Sequence, residues 1–132
     1  MFKKKITILS GIVVIILIVV FGCSKSSTYV QSPGSDITQT LSYTKDIAPI
    51  LAGSCALSGC HAKGGHVPDL SAANAYISLS AGGYIKANDP DNSVLILWLT
   101  GKKSPAMPLG SGPNADINAR VYAWIKQGAN NN

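Results

Sequence analysis

Glutamate is absent from the 132 residues, and the acidic side chains are six aspartates. With no paired carboxylate the chain lacks the acid and base couple that hydrolytic chemistry uses, and no Ser-His-Asp arrangement is suggested. Positive charge is thinner than the formal +5 implies, because Lys3, Lys4 and Lys5 belong to an N-terminal leader. Without them eight basic side chains face six acidic ones, a net +2. No basic stripe interleaved with aromatics is present, which disfavours nucleic acid as a partner. Internal repeats and long low-complexity blocks are missing too, so the roughly ninety residues beyond residue 42 make one small domain. Cysteine occurs three times and methionine twice. Such scarcity makes each of them informative.

The leader starts Met1-Phe-Lys-Lys-Lys and continues as an apolar run from Ile6 to Phe21, interrupted by Thr7, Ser10 and Gly11. A basic head followed by an apolar stretch is the pattern of an export signal. The stretch is close to the shortest spanning helix, about 17 residues, so an uncleaved anchor is one reading. Cleavage before a cysteine is the other, since Val20-Phe21-Gly22-Cys23 resembles the lipobox of bacterial lipoproteins. On that resemblance residues 1–22 are a signal peptide and Cys23 is the lipidated N-terminus. Both readings put the domain outside the cytoplasm and tie it to a membrane, facing the periplasm or the cell surface. Residues 24–42 are rich in Ser, Thr, Gln, Pro and Gly and read as a tether. As a flexible coil it would span about 25 Å root-mean-square.

With Cys23 assigned to lipid, Cys55 and Cys60 remain, in Cys55-Ala-Leu-Ser-Gly-Cys60-His61. Three chemistries fit two thiols beside a histidine. A disulfide across the short loop would help stabilise a small exported domain. Zinc takes S and N ligands at short spacing, here Cys55, Cys60, His61 and His66. The third is covalent haem, whose attachment signature is C-x-x-C-H, two thioether cysteines followed by the histidine that ligates iron. Here four residues separate the cysteines instead of two. Cys60 and His61 keep their adjacency, so the extra residues need only bulge between the two attachment points.

From Tyr43 onward the pattern is helical and short, with breakers between segments and little strict alternation, which predicts an all-α domain of four helices. The first is expected over about residues 47–54, with Asp46 as N-cap and Pro49 in the first turn. A second, weaker one follows Ser71. A third covers about 92–100, capped by Asn92 or Ser93 and ended by Gly101 in a left-handed conformation. Its Val94, Leu95, Leu97, Trp98 and Leu99 make it apolar nearly all round, hence buried. The last runs about 115–127 between Asn114 and Gly128, with Ile117, Val121, Trp124 and Ile125 as its apolar stripe.

Met107 sits in the breaker-rich loop between the last two helices and is the sole methionine beyond the leader. A thioether is a soft ligand suited to haem iron, and with imidazole on the opposite face it raises the reduction potential. Pro105 and Pro108 stiffen the segment around it. The plainer role for a methionine is filling a gap in a core. His66 is a rival ligand by chemistry but not by reach, since five residues at 3.3–3.6 Å each must round the macrocycle edge. It reads as a loop side chain. Trp98 and Trp124 read as core or haem packing, Lys102 and Lys103 as a solvated pair able to steer an acidic partner, and Tyr84, Lys86 and Asn88 as weak propionate candidates.

Taken in order, Asp46-Ile-Ala-Pro-Ile-Leu51, Cys55 to His61, Pro68-Asp-Leu-Ser71, the run from Asn88 to Leu95, Ala106-Met-Pro108 and the run from Ala123 to Ala129 resemble a small class I type c cytochrome. The chain is similar in particular to the planctomycete-type cytochrome c domain, over about residues 43–130. The resemblance implies a cytochrome c-like fold of about four short helices around one covalent haem c, held by Cys55 and Cys60. His61 is the implied proximal and Met107 the implied distal axial ligand. With both axial positions filled, the implied activity is not enzymatic: single electrons pass between redox partner proteins. Two other readings stand beside it. One is a lipid-anchored structural or binding module held by a Cys55 to Cys60 disulfide without haem. The other is a haem sensor or enzyme in which a labile Met107 opens a site.

Overall fold

The computed structural model describes residues 37–132. The chain is helical there, with 39% of the described residues in helices and no strand among them. A π-helical turn at Tyr43–Ile47 runs straight into α1, Ala48–Ser54. There follow α2 at Ala75–Ala81, α3 at Val94–Leu99 and α4 at Ala115–Lys126. Four α-helices over these stretches agree with the sequence pattern, and none of the described helices is long and apolar enough to cross a membrane.

The helix starts differ in instructive ways. Ser42, not Asp46, caps the first helical stretch: its side chain accepts from Lys45 N, while Asp46 reaches back to accept from Ser42 N at 2.7 Å. Side chain and backbone thus serve each other across the first turn, as in a capping box. At α2 the chain makes a turn at Ser71–Asn74 before the helix begins, and Ser71 supplies its carbonyl, not its hydroxyl, to Asn74 N and Ala75 N. Ser93 occupies the N-cap of α3, yet its hydroxyl bonds Lys86 N and the Asp89 carbonyl, closing the preceding loop. Asn114 behaves as expected and accepts from Asp116 N and Ile117 N at 3.1 Å each.

Residues 37–42, which composition places in the tether, lie against α4. Leu41 is buried, its N–H donates to Gln127 Oε1 at 2.8 Å, and Gln127 Nε2 donates to the Gln39 carbonyl at 2.9 Å. The core gathers Leu41, Ile47 and Leu51 with Leu79, Ile85, Leu95, Ile96 and Leu99, closed by Val121, Trp124 and Ile125 of α4. Of α3 one side is buried, through Leu95, Ile96 and Leu99, while Val94, Leu97 and Trp98 remain half-buried. Trp124 is 1% exposed and anchors an aromatic cluster, 5.6 Å from Tyr43 and 6.4 Å from Tyr76 between ring centroids. Its Nε1 donates to the Asn130 carbonyl at 3.0 Å, and Tyr76 Oη donates to the Ala129 carbonyl at 3.0 Å, so the ring's polar edge is satisfied as it is buried. The opening turn and α4 meet at this cluster, and α3 meets α4 on the other side.

Candidate functional site

Cys55 is the C-cap of α1, with its N–H on the Leu51 carbonyl at 3.0 Å. The helix stops there, and the chain turns back sharply. Cys60 N donates to the Leu57 carbonyl at 2.9 Å, so Leu57 to Cys60 form a tight turn, with Gly59 at φ 78°. A left-handed φ is one that glycine reaches without penalty. His61 N then donates to the Cys55 carbonyl at 3.1 Å and closes the loop. The two extra residues between the cysteines are therefore taken up in one turn, and Cys55, Cys60 and His61 stay on a single small loop.

Both cysteines are free thiols, each half-buried. Burial, with a smaller contribution from Cys60, pushes the Cys55 thiol up to about 11. Neutral thiol is thus the form Cys55 holds at physiological pH.

The His61 ring is held from one side. Its Nδ1 lies 3.0 Å from the Pro68 carbonyl oxygen and 3.1 Å from that of His66. Carbonyl oxygens only accept, so Nδ1 is the protonated nitrogen and Nε2 of the neutral ring keeps its lone pair. Metal-ligating histidines are oriented in this manner, the far nitrogen donating to a carbonyl or carboxylate. The segment that supplies those carbonyls is itself tied back to the loop: His66 N donates to the Cys60 carbonyl and Leu70 N to the His61 carbonyl, both at 2.8 Å. Gly65 fits between because a Cβ there would run into the Cys60 carbonyl oxygen. Asp69 fixes the far end, its two carboxylate oxygens accepting from Ser71 N at 2.9 Å and Asn74 Nδ2 at 2.8 Å. Hydrogen bonding to Ser71 first, then to Asn74, holds its carboxyl below the usual range, with Lys63 adding a little.

His66 therefore enters the site through its backbone, while its side chain is exposed. Among the described residues no three His, Cys, Asp or Glu side chains are grouped as they would be around a bare metal ion.

Met107 is half-buried and packs against the core cluster. Its N–H donates to the Trp98 carbonyl at 3.0 Å, which hangs the methionine loop from the end of α3. Gly101, at φ 75°, starts that loop in the left-handed conformation expected of it. Lys103 Nζ lies 5.5 Å from the centroid of the Trp98 ring, a cation–π contact rather than a fully solvated lysine. Three of the large apolar side chains left exposed, Leu57, Val67 and Leu109, belong to the loops that carry Cys55, Cys60, His61 and Met107. A groove between residues 37–41 and α4, lined by Ile37, Thr38, Gln39, Leu41, Asp116 and Arg120, shares no residue with these loops. Cys23, the expected lipid attachment point, lies outside the described residues, as do the signal peptide and the first part of the tether.

What the sequence pattern did not disclose is the main-chain support: the carbonyls of His66 and Pro68 behind His61, and that of Trp98 above Met107. Pro68 and Asp69 stood in the pattern as part of a resemblance, with no role attached. No protein-family model matches the chain, and neither a curated protein nor a solved structure does so.

Proposed function

We propose that the folded part of this chain is a monohaem c-type cytochrome domain, carried on a lipoprotein anchored at Cys23, that passes single electrons between redox proteins outside the cytoplasm. The observation that supports this most is the His61 ring, with Nδ1 committed to two carbonyls and Nε2 left with its lone pair, on the same loop as two free thiols. A histidine that ligates a metal is commonly oriented in that way. Cys55 and Cys60 would hold the haem as thioethers, each S–H adding across a vinyl group so that sulfur bonds one carbon and the proton goes to the other. His61 Nε2 and Met107 Sδ would be the protein's ligands to the iron. Exposed Leu57, Val67 and Leu109 suit the neighbourhood of a large flat apolar body, which would cover surface that water now meets. The haem, when bound, would supply reversible one-electron chemistry at iron. The protein's part would be to fix the imidazole tautomer through the His66 and Pro68 carbonyls and to hold the methionine loop on the end of α3.

The experiment is a reduced pyridine haemochrome spectrum on residues 24–132, exported in a host with c-type maturation machinery, then denatured and acid-extracted. The expected result is absorbance that stays with the protein at the c-type position, lost stepwise in Cys55→Ala and Cys60→Ala. Extractable or absent haem, with both thiols recovered as a disulfide, would overturn the proposal in favour of the anchored structural module.

A further inference from the structure

The last four carbonyls of a helix have no partner within it and must find one elsewhere. In α3 all four do. Ile96 O accepts from Thr100 N at 2.9 Å and from Thr100 Oγ1 at 2.7 Å. Leu97 O accepts from Lys103 N at 2.9 Å, and Trp98 O from Gly101 N at 3.2 Å and Met107 N at 3.0 Å. Leu99 O, the last of them, is reached by a side chain from another helix: Asn118 Nδ2 donates to it at 2.9 Å. Asn118 is 0% exposed, and its Oδ1 has no hydrogen-bond partner. A buried amide that leaves its acceptor unpaired is costly unless its donor does something an apolar residue could not.

We propose that Asn118 is a positioning residue for the iron's sixth ligand, an inference that rests on Met107 being that ligand. The geometry is a strut. α4 holds the Leu99 carbonyl through Asn118, the carbonyls of Leu97 and Trp98 hold Lys103 and Met107, and the sulfur is thereby hung from a helix end that cannot slide along its neighbour. Remove the strut and the loop keeps its own hydrogen bonds to α3, but the end of α3 is no longer registered to α4. The methionine then leaves its position more often. Asn118 itself touches neither haem nor methionine sulfur in this scheme.

The test uses the full chain matured with haem, in the wild type and in Asn118→Leu and Asn118→Ser. Leucine matches asparagine in shape without a donor, and a serine hydroxyl is too short to reach Leu99. Tyr76→Phe, which removes only the bond to the Ala129 carbonyl, is the comparator for loss of stability. All are matched for covalent haem by haemochrome. The readouts are the charge-transfer band of thioether-ligated ferric haem and the rate at which the ferrous protein binds carbon monoxide. Both Asn118 variants should bind carbon monoxide about tenfold faster or more, because an absent sixth ligand opens the iron, and should lose the ferric band at lower pH. Tyr76→Phe should match the wild type in both readouts even where its thermal midpoint has fallen as far. An unaltered band and rate in the Asn118 variants, or equal changes in Tyr76→Phe, would overturn the inference. If the leucine variant does not fold, the serine variant decides. A wild type with covalent haem but no thioether band would overturn Met107 ligation itself, and that result appears before any substitution is made.

Discussion

The Nδ1 of His61 and the carbonyl oxygen of Pro68, seven positions further along the chain, stand 3.0 Å apart. That distance decides which ring nitrogen is free, and the rest of the candidate site is arranged to maintain it. Asp69, next to Pro68, is where the arrangement can be loosened without touching the site.

Asp69→Asn keeps the size of the side chain and removes its charge. The folded carboxyl sits below its ordinary 3.8 because it accepts from Ser71 and Asn74. A lowered value means that its stabilisation is present above pH 3.8 and is lost as the pH falls through the folded value. Urea midpoints should therefore be lower for Asp69→Asn than for wild type at pH 7, and the gap should be smaller at pH 3, below the ordinary 3.8. A gap of the same size at both pH values would refute the role given to this carboxylate.

Cys55 carries the opposite sign. Its value is raised from 9.0 to about 11 by burial, with Cys60 contributing less. Resistance to ionisation costs nothing below pH 9; as the pH rises from 9 towards 11 the unfolded chain gains thiolate that the folded one cannot match, so stability falls across that window. At pH 8 a thiol raised to about 11 has roughly a hundredfold less thiolate than an ordinary one. In the haem-free folded chain, iodoacetamide should accordingly modify Cys55 about a hundredfold more slowly than in the urea-unfolded chain, as measured by mass spectrometry of timed digests. Equal rates in the two states would show that Cys55 is not shielded.

Gly65 and Gly64 give a paired test of the loop. A methyl on Gly65 would overlap the Cys60 carbonyl oxygen, whereas one on Gly64 meets open space and only the strain of φ 79°. Gly65→Ala should cost about 1–3 kcal/mol through forced backbone movement, and it should also loosen the His66 N to Cys60 O bond that backs His61. Gly64→Ala should cost about 1–2 kcal/mol and leave that bond alone. Amide hydrogen exchange at His66 separates the two, with faster exchange expected in Gly65→Ala alone.

Local signals in the sequence carried most of the helical framework and little of its joinery. Asn114, Gly101 and the stripe of Val121, Trp124 and Ile125 act within one turn of their own positions, and the structure has them where the pattern implied. Ser42 was passed over for Asp46 because a π-helical turn brings the helix start forward by several residues, and periodicity does not register such a turn. The cysteine and histidine loop was legible as a unit with a bulge between the cysteines, but not the turn at Leu57 to Cys60 or the left-handed Gly59 that form it. Its support was not: carbonyls carry no side-chain signature, and Pro68 reaches His61 through a chain reversal. Asn118 carries no local signal of its role, since its partner Leu99 is nineteen residues away.

The aromatic cluster sets the stability of everything else. Trp124 is buried against Tyr43 and Tyr76 and spends its N–H on Asn130. Trp124→Ala should cost about 3–5 kcal/mol, enough to unfold a domain of this size at moderate temperature. Trp124→Phe keeps much of the volume and loses the hydrogen bond, so it should fall between the two in chemical denaturation. Neither variant should alter the haemochrome of whatever fraction remains folded.

Met107→Ala tests the other half of the proposed centre, and its outcome divides the redox readings. The loop around Met107 is held by main-chain bonds, Met107 N to Trp98 O and Lys103 N to Leu97 O, which an alanine retains. The substitution therefore removes the sulfur and little else of the local fold. If the sulfur is a bound ligand that favours ferrous iron, its loss should lower the reduction potential and turn a low-spin spectrum high-spin, and carbon monoxide should bind the ferrous variant much faster than the wild type. A sensor with a labile methionine behaves otherwise: the wild type would already take up carbon monoxide about as fast as the variant. Stopped-flow rates on the two proteins, matched for covalent haem, distinguish these outcomes. A fast wild type would remove the electron-carrier proposal in its present form, because the iron would then have a position to offer a ligand.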